Sequence, residues 1–470
     1  MKKRKPRIGF MVCTSMKDIT NPDGTPFPVM GMAEIAARKL EENNIEVIRY
    51  KELIKGDIKD WRVENYNREA VVDTHTRSLE AFDKFNKEDV DCVVMFFSSW
   101  AWSHIYLQGM NIVNKPIIIW AGDEMIGCEG VGFFSMKGTL DSVCNIEYKD
   151  VYGTPDKDKI IKEAVSYIKA AMVKNILRRS KFGQWGSNPM GMLSCVLDDV
   201  IWFRKFGVIA EHLESQTILS EALRVSDSSA LSVYNELKNK VVSIPPFEGD
   251  LMKKDIKFYI AHKELIEKYD LDFDGIKGVP ELSDYYCGLC LAQILLSNEG
   301  FVSAYEASPK GALTEYIIRM LTDDAIWLHD IEQVDTEKGI IRLAYDFAPL
   351  GIADERGVEI LKCHDYGEGK AGKFNAHLFG KKGKVTLARL QRWGDDYVMQ
   401  LARGTAIESE QKYLDMAGYP NAALATIKLE GDSDKFRKDM RGQFNHICWA
   451  DIYNELLDVC KILKINVLTY

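Results

Sequence analysis

The chain has 470 residues, which at about 150 residues per domain leaves room for roughly three domains and excludes a single small module. Hydrophobic residues make up 46% and charged residues 28%, an ordinary globular balance that excludes wholesale disorder. The formal charge of −9 argues against nucleic acid or an anionic membrane surface as partner, because no strong basic patch is visible in the sequence to offset it.

The basic cluster Lys2-Lys3-Arg4-Lys5 precedes an apolar run, Ile8 to Cys13, that is too short for a signal-peptide core and soon meets Lys17 and Asp18. It reads as a first strand. No stretch approaches the roughly 18 apolar residues of a membrane span, so the expected location is cytoplasmic. Ten cysteines at irregular intervals fit reduced, buried thiols better than a disulfide framework. The first third alternates strand and helix signals: strand Arg7 to Val12, helix Gly31 to Glu42, strand Ile45 to Tyr50, helix Arg68 to Asn86, then strands Asp91 to Phe97 and Pro116 to Ala121. Such alternation implies βαβ units and a parallel sheet covered on both faces. No GxGxxG follows the first strand, so a nucleotide cofactor is not indicated.

A long helix, Asp158 to Leu177, leads into the glycine-rich stretch Gly183 to Gly191, which reads as a boundary. The middle third then repeats the alternation with helices Leu193 to Phe206, Lys253 to Tyr269 and Ser283 to Leu296. Its last clear unit is strand Phe301 to Tyr305, helix Pro309 to Leu321, strand Ala325 to Leu328. After about Gly339 the pattern turns to strands with glycine turns: Ile340 to Tyr345, Val358 to Cys363, Lys384 to Leu390, Tyr397 to Arg403 and Ala423 to Leu429, closed by helix Asp451 to Leu463. The expected fold is therefore α/β, two Rossmann-like parallel-sheet domains (1–172 and 173–338) followed by a β-rich, barrel-like C-terminal domain (339–470).

Three motifs invite over-reading. Cys287 and Cys290 form a single CxxC within an apolar, helix-like segment, which favours a structural role over redox or zinc chemistry. The run Asp270-Leu271-Asp272-Phe273-Asp274-Gly275 with Glu281 satisfies a calcium-loop spacing. However, Lys277 stands where such loops pair, Pro280 precedes the Glu, and no second loop exists, so a solvated acidic turn is expected. Gly367 to Lys373 resembles a phosphate loop, but Phe374 replaces the required Ser or Thr and no helix follows.

The unit from Phe301 to Asp330 carries chemistry. Glu306 follows one strand and Asp330 the next, and Ser308 and Pro309 open the helix between them as N-cap and first residue. Ligands of open α/β sheets bind just beyond strand carboxyl ends, and adjacent parallel strands lie ~4.8 Å apart, so two such carboxylates can share one cation if their strands are adjacent.

At these residues the chain resembles the L-fucose isomerase and L-arabinose isomerase family, in its fucose-isomerase-like branch. Three segments carry the likeness: Ala304-Tyr305-Glu306 through Thr314 with Trp327-Leu328-His329-Asp330; Gly383-Lys384-Val385-Thr386-Leu387-Ala388-Arg389; and Phe444-Asn445-His446 before the closing helix. The resemblance implies that Glu306, Asp330 and His446 bind one divalent ion, Mn²⁺, and that Glu306 and Asp330 catalyse aldose-ketose isomerisation of a free sugar through a cis-enediol. An oxygen-rich site with one imidazole suits such an ion on chemical grounds as well. The resemblance further implies a homo-oligomer, a hexamer or trimer, in which the N-terminal domain lends contacts to a neighbouring subunit. That makes Trp100, Trp102 and His104 candidate substrate contacts beside Arg389 and Asn445. The remaining histidines, His75, His212, His262, His329, His364 and His377, have no placed partner in the sequence and read as structural. The chain departs from the family at Ser308, where an acid is common, and at Tyr345-Asp346-Phe347, where a histidine is common. Those departures bear on the substrate and keep open a sugar-binding protein without turnover, while a related metal-dependent epimerase or aldolase would use the same metal and enediolate.

Overall fold

The computed structural model describes residues 4–143, 146–188, 191–306, 308–363, 370–394 and 396–470. His364 and the first part of the phosphate-loop-like segment lie outside these residues. The fold is α/β with parallel sheets and a β-rich C-terminal barrel. Two compact units meet in sequence between Asn175 and Ile176, near the end of helix Asp158–Leu177.

The N-terminal unit is built on a parallel sheet in the order Glu46–Arg49, Arg7–Cys13, Cys92–Phe97, Ile117–Ala121, Tyr148–Tyr152, with the short strand Val71–Val72 beside the end of Arg7–Cys13. Apart from that short strand this is the 2-1-3-4-5 order of a doubly wound sheet. Its middle strands, CVVMFF and IIIWA, are buried at every residue, as strands covered on both faces must be. The helix expected from Arg68 begins only at His75. The β-branched pair Val71 and Val72 joins the sheet, and the Thr74 hydroxyl caps the shortened helix by accepting from the Arg77 amide.

The second unit opens with a described parallel sheet in the order Ser303–Tyr305, Phe273–Ile276, Lys181–Trp185, Ile209–Leu213. The glycine-rich stretch expected to be a boundary thus starts as an interior strand. The acidic run near Asp274 is likewise a strand and not a solvated turn. Asp274 is fully buried, and its Oδ2 accepts from Trp185 Nε1 at 3.0 Å and lies 2.7 Å from His262 Nε2. The helix expected over Ser283 to Leu296 breaks in two, Glu281–Tyr285 and Cys290–Asn298, with Leu289 between them at φ +57°. Cys287 and Cys290 are buried thiols, which burial pushes well above their ordinary range.

Among the described residues six strands close an antiparallel barrel. In order they are Ala423–Glu430, Ile340–Tyr345, Ile326–Asp335, Phe444–Cys448, Gly383–Trp393 and Asp396–Ile407, the last pairing back onto the first. Here the structure corrects the sequence reading. The strand read at Ala325 to Leu328 as the second arm of a strand-helix-strand unit with 301–305 belongs to Ile326–Asp335, which enters the barrel and does not lie beside Ser303–Tyr305. The cause is the intervening helix, Pro309–Leu321, which is buried along its whole length. Tyr316 stacks on Phe273 of the parallel sheet with ring centres 4.4 Å apart, and Thr314 Oγ1 accepts from the Leu390 amide of the barrel at 3.1 Å. A helix covered on every side has a second layer behind it, and the chain leaving it feeds that layer. One apolar cluster accordingly runs from Trp185 in the parallel layer to Trp449 in the barrel. No described helix is long and apolar enough to cross a membrane.

Candidate functional site

Glu306 ends the edge strand of the parallel sheet in a left-handed backbone conformation, φ +61°, that a glutamate enters only under constraint. Two residues later Ser308 caps the buried helix, its Oγ accepting from the Gly311 amide at 3.2 Å. Asp330 approaches from the other layer, on a barrel strand where it lies opposite Ala344 and Phe444. Just beyond it the register skips between Ile331 and Gln333, leaving Glu332 as the extra residue of a bulge, a device that re-aims side chains beside sites. Glu306, Asp330, Glu332 and Asp346 all line one cleft, together with Tyr345 and Lys373. The two acids singled out in the sequence therefore share a cleft, although from different layers and not from adjacent parallel strands.

The cleft is electrostatically crowded. Asp330 is pushed up to about 8, by burial first and then by Glu306, Glu332 and Asp346, while Arg389 pulls it back. Its Oδ1 is buried with no hydrogen-bond partner among the described residues. Burial raises Glu332 as well. Asp346 is matched by Lys373 Nζ at 2.5 Å and by Asn375 Nδ2 at 3.2 Å. A buried carboxylate oxygen left without a donor among other carboxylates fits a hard cation, so the donor chemistry of Glu306 and Asp330 is right for a divalent ion. As placed, however, no three His, Cys, Asp or Glu side chains among the described residues converge closely enough to hold one.

His446 lines a neighbouring cavity with Ser308, Lys310, Arg389 and Cys195. It sits opposite Leu328 and Ala388 in the barrel, with Nε2 3.8 Å from Glu315 Oε2. Burial, then His329 and Arg389, hold it well below the usual imidazole range. Asn445 is buried and accepts the His446 amide on its Oδ1 at 2.7 Å. Arg389 donates to the Gly442 and Arg441 carbonyls at 3.0 and 3.5 Å, and burial lowers it to about 10.

In the N-terminal unit, Trp100, Trp102 and His104 follow strand Cys92–Phe97 as a short aromatic file, with ring centres 4.4 and 6.4 Å apart and Trp102 half exposed. The other described histidines have local partners: His75 with Gln108, His212 with Asp199, His262 with Asp274, His329 with the Asp330 carbonyl and His377 with the Ala422 carbonyl.

Sequence reasoning gave no role to Glu332, Asp346, Lys373 or Lys310. Glu332 was findable, since residues two apart on a strand share a face. Lys310 was also findable, because a cation in the first turn of a helix opposes the macrodipole and asks for a reason. Asp346 and Lys373 meet only through the fold.

No family model matches the chain. The chain is similar to the sulfoquinovose isomerase of Priestia aryabhattai, 20% identical over 413 residues, covering 84% of this chain and 90% of that protein. The same figures hold for the sulfoquinovose isomerase of Priestia megaterium (strain ATCC 12872 / QMB1551). The sulfoquinovose isomerase of Clostridium sp. (strain MSTE9) is 19% identical over 235 residues, 48% of this chain and 52% of that protein. Among solved structures, an ABC transporter periplasmic solute binding protein from Actinobacillus succinogenes 130z with bound D-allose matches at 13% identity and a TM-score of 0.17, over 67% of this chain and 90% of its own.

Proposed function

We propose that this chain is a sugar aldose-ketose isomerase whose chemistry runs in the cleft of Glu306 and Asp330. The observation that carries the reading is the meeting of two acids from different layers in one cleft, with Asp330 buried and pushed up to about 8. Similarity over 90% of the length of curated sulfoquinovose isomerases supports it.

The finer reading is a cis-enediol route. Glu306 takes the proton from C2 of the open-chain aldose as the C1 oxygen gains one. The C2 hydroxyl proton then passes to Asp330 as the new carbonyl forms, and the protonated Glu306, exchanging with solvent, returns a proton to C1 to complete the ketose. Asp330, in the same cleft, is the second acid of this proton traffic and serves the C1 and C2 oxygens. Glu306 and Asp330 are the residues of the cleft that would hold a divalent ion such as Mn²⁺, with His446 of the neighbouring cavity as the third ligand that the family resemblance implies; the ion would supply Lewis-acid polarisation of the sugar oxygens.

The test is turnover of a sugar panel in heavy water, with one solvent deuterium expected at C1 of the ketose. Glu306→Gln and Asp330→Asn are each expected to lower kcat by ~10²–10⁴-fold while unfolding cooperatively. Full turnover by both variants would refute the assignment, and turnover without deuterium uptake would refute the proton-transfer route.

A further inference from the structure

We propose that the Tyr345 hydroxyl is a further catalytic group of the acidic cleft, the neutral donor that holds the C2 oxygen of the sugar against Asp330. The proposal rests on the isomerase reading for the oxygen it names, whereas the donor and its missing acceptor are read from the geometry alone.

Tyr345 ends barrel strand Ile340–Tyr345, its backbone in register with Ala423. It is 8% exposed and lines the cleft with Glu306 and Asp330. Two phenylalanines pack edge-on against the ring, Phe347 at 4.9 Å and Phe444 at 6.1 Å between ring centres. The hydroxyl is buried and has no hydrogen-bond partner among the described residues. A buried O–H without an acceptor has lost its water and gained nothing in return, which makes it one of the groups in a fold that calls for a reason. None of the carboxylates around the cleft accepts it. Asp346, the next residue, is engaged by Lys373 and Asn375. Asp330 keeps its Oδ1 buried and equally without a partner among the described residues. Burial first, then the charges of Glu306 and Asp330, raise the phenol well above its ordinary range, so it faces the cleft as a neutral O–H.

An unpartnered donor and an unpartnered acceptor in one cleft, not bonded to each other, are complementary to a hydroxyl, which accepts on its oxygen while giving its hydrogen. The cleft holds about 70 Å³ of free volume, space for several waters, so such a group can enter. In the route proposed above, the hydroxyl that gives its hydrogen to Asp330 is the one on C2, and its lone pairs remain for Tyr345. As that proton moves to the Asp330 carboxylate, the O–H electron pair becomes the second bond of the C2 carbonyl. The electrons of the enediol double bond take the proton that Glu306 returns to C1. Tyr345 transfers nothing: its hydrogen bond meets the negative charge that gathers on the C2 oxygen as the proton leaves, and a ring already packed in place has little to reorganise at that moment. Tyr345 falls in a segment where the chain departs from the family it resembles, so that likeness assigns it nothing.

The experiment compares the full chain with Tyr345→Phe, which removes one oxygen and keeps the ring. Turnover is measured on a panel of aldoses, with D-glucose, L-fucose, D-arabinose and 6-substituted glucoses among them, and the 2-deoxy analogue of each sugar is tested as an inhibitor. Tyr345→Phe is expected to lower kcat by about 100-fold on every sugar turned over, with KM within about 3-fold, and to melt no lower than the unaltered protein. The 2-deoxy analogues lack the oxygen in question and are expected to inhibit both proteins equally. A lower melting temperature overturns the proposal, because the hydroxyl would then be holding the fold. Unchanged kcat overturns it too and leaves the space between Tyr345 and Asp330 to a bound water. Weaker inhibition of Tyr345→Phe by the 2-deoxy analogues would also overturn it, by placing the hydroxyl on another part of the sugar. Full turnover by Tyr345→Phe beside an inactive Glu306→Gln refutes the role of Tyr345 alone. Absence of turnover by the unaltered protein on every aldose removes the isomerase reading, and the C2 assignment with it.

Discussion

Asp255 offers a sharp test of how the wall of the cleft is held. It lies on helix Asp250–Lys268 and is fully buried, and its carboxylate accepts the Leu291 and Ala292 amides at 3.2 and 2.9 Å. Those amides open helix Cys290–Asn298, directly after Gly288, which lines the cleft. Burial pushes Asp255 up to about 7, against the downward pull of the two amides. Its folded value therefore exceeds the ordinary 3.8. The folded chain keeps a proton that the unfolded chain releases, so this contribution is fully present below about pH 4 and is lost as pH rises through 7. A difference of about 3 units corresponds to ~4 kcal/mol as a ceiling, and relaxation leaves roughly 2–4 kcal/mol. Asp255→Asn keeps an acceptor but does not titrate. Relative to the unaltered protein it is expected to gain that amount between pH 4.5 and 8, read by urea unfolding and by hydrogen exchange of the Leu291 and Ala292 amides. Asp255→Ala should cost about 2–3 kcal/mol at pH 5, because two buried donors lose their partner. Parallel pH curves for the Asp and Asn proteins would refute the reasoning.

Gly288→Ala would place a Cβ 2.4 Å from Lys373 Cβ, an atom too near the backbone to yield. It should cost roughly 1–3 kcal/mol in thermal unfolding and lower kcat/KM by moving Lys373 off Asp346; unaltered values would count against that wall. Glu306→Gly removes the left-handed strain, so it is expected to melt no lower than the unaltered chain, with a gain of up to ~1 kcal/mol, while turnover disappears. A clear loss of stability would mean that the backbone there is not constrained. Mn²⁺ at ~100 times its Kd should stabilise the unaltered protein by about 2.7 kcal/mol over the chelated form, and the shift should vanish in Asp330→Asn. An equal shift in that variant would move the ion elsewhere.

Signals confined to a few neighbouring residues were legible in the sequence. Helices Asp158–Leu177 and Pro309–Leu321 and strand Ile340–Tyr345 run over the residues their patterns predict, because capping, proline at the first turn and apolar periodicity act within one or two turns of chain. Glu306 was legible for the same reason, as an acid between a strand and a capped helix. What Asp330 does was only half legible. Its residue type marked it, but its neighbours Phe444 and Ala344 come from distant pairings, and the bulge at Glu332 exists only once strands Ile326–Asp335 and Ile340–Tyr345 are in register. The burial of helix Pro309–Leu321 on every side sent Ile326–Asp335 into the barrel, a choice made by which layers cover the helix and absent from its local pattern. Charge divides the same way. Composition settles a sum, here −9, whereas a cavity that gathers Lys310 and Arg389 beside a cleft of four carboxylates is decided by packing, which can set opposite fields side by side within one acidic chain.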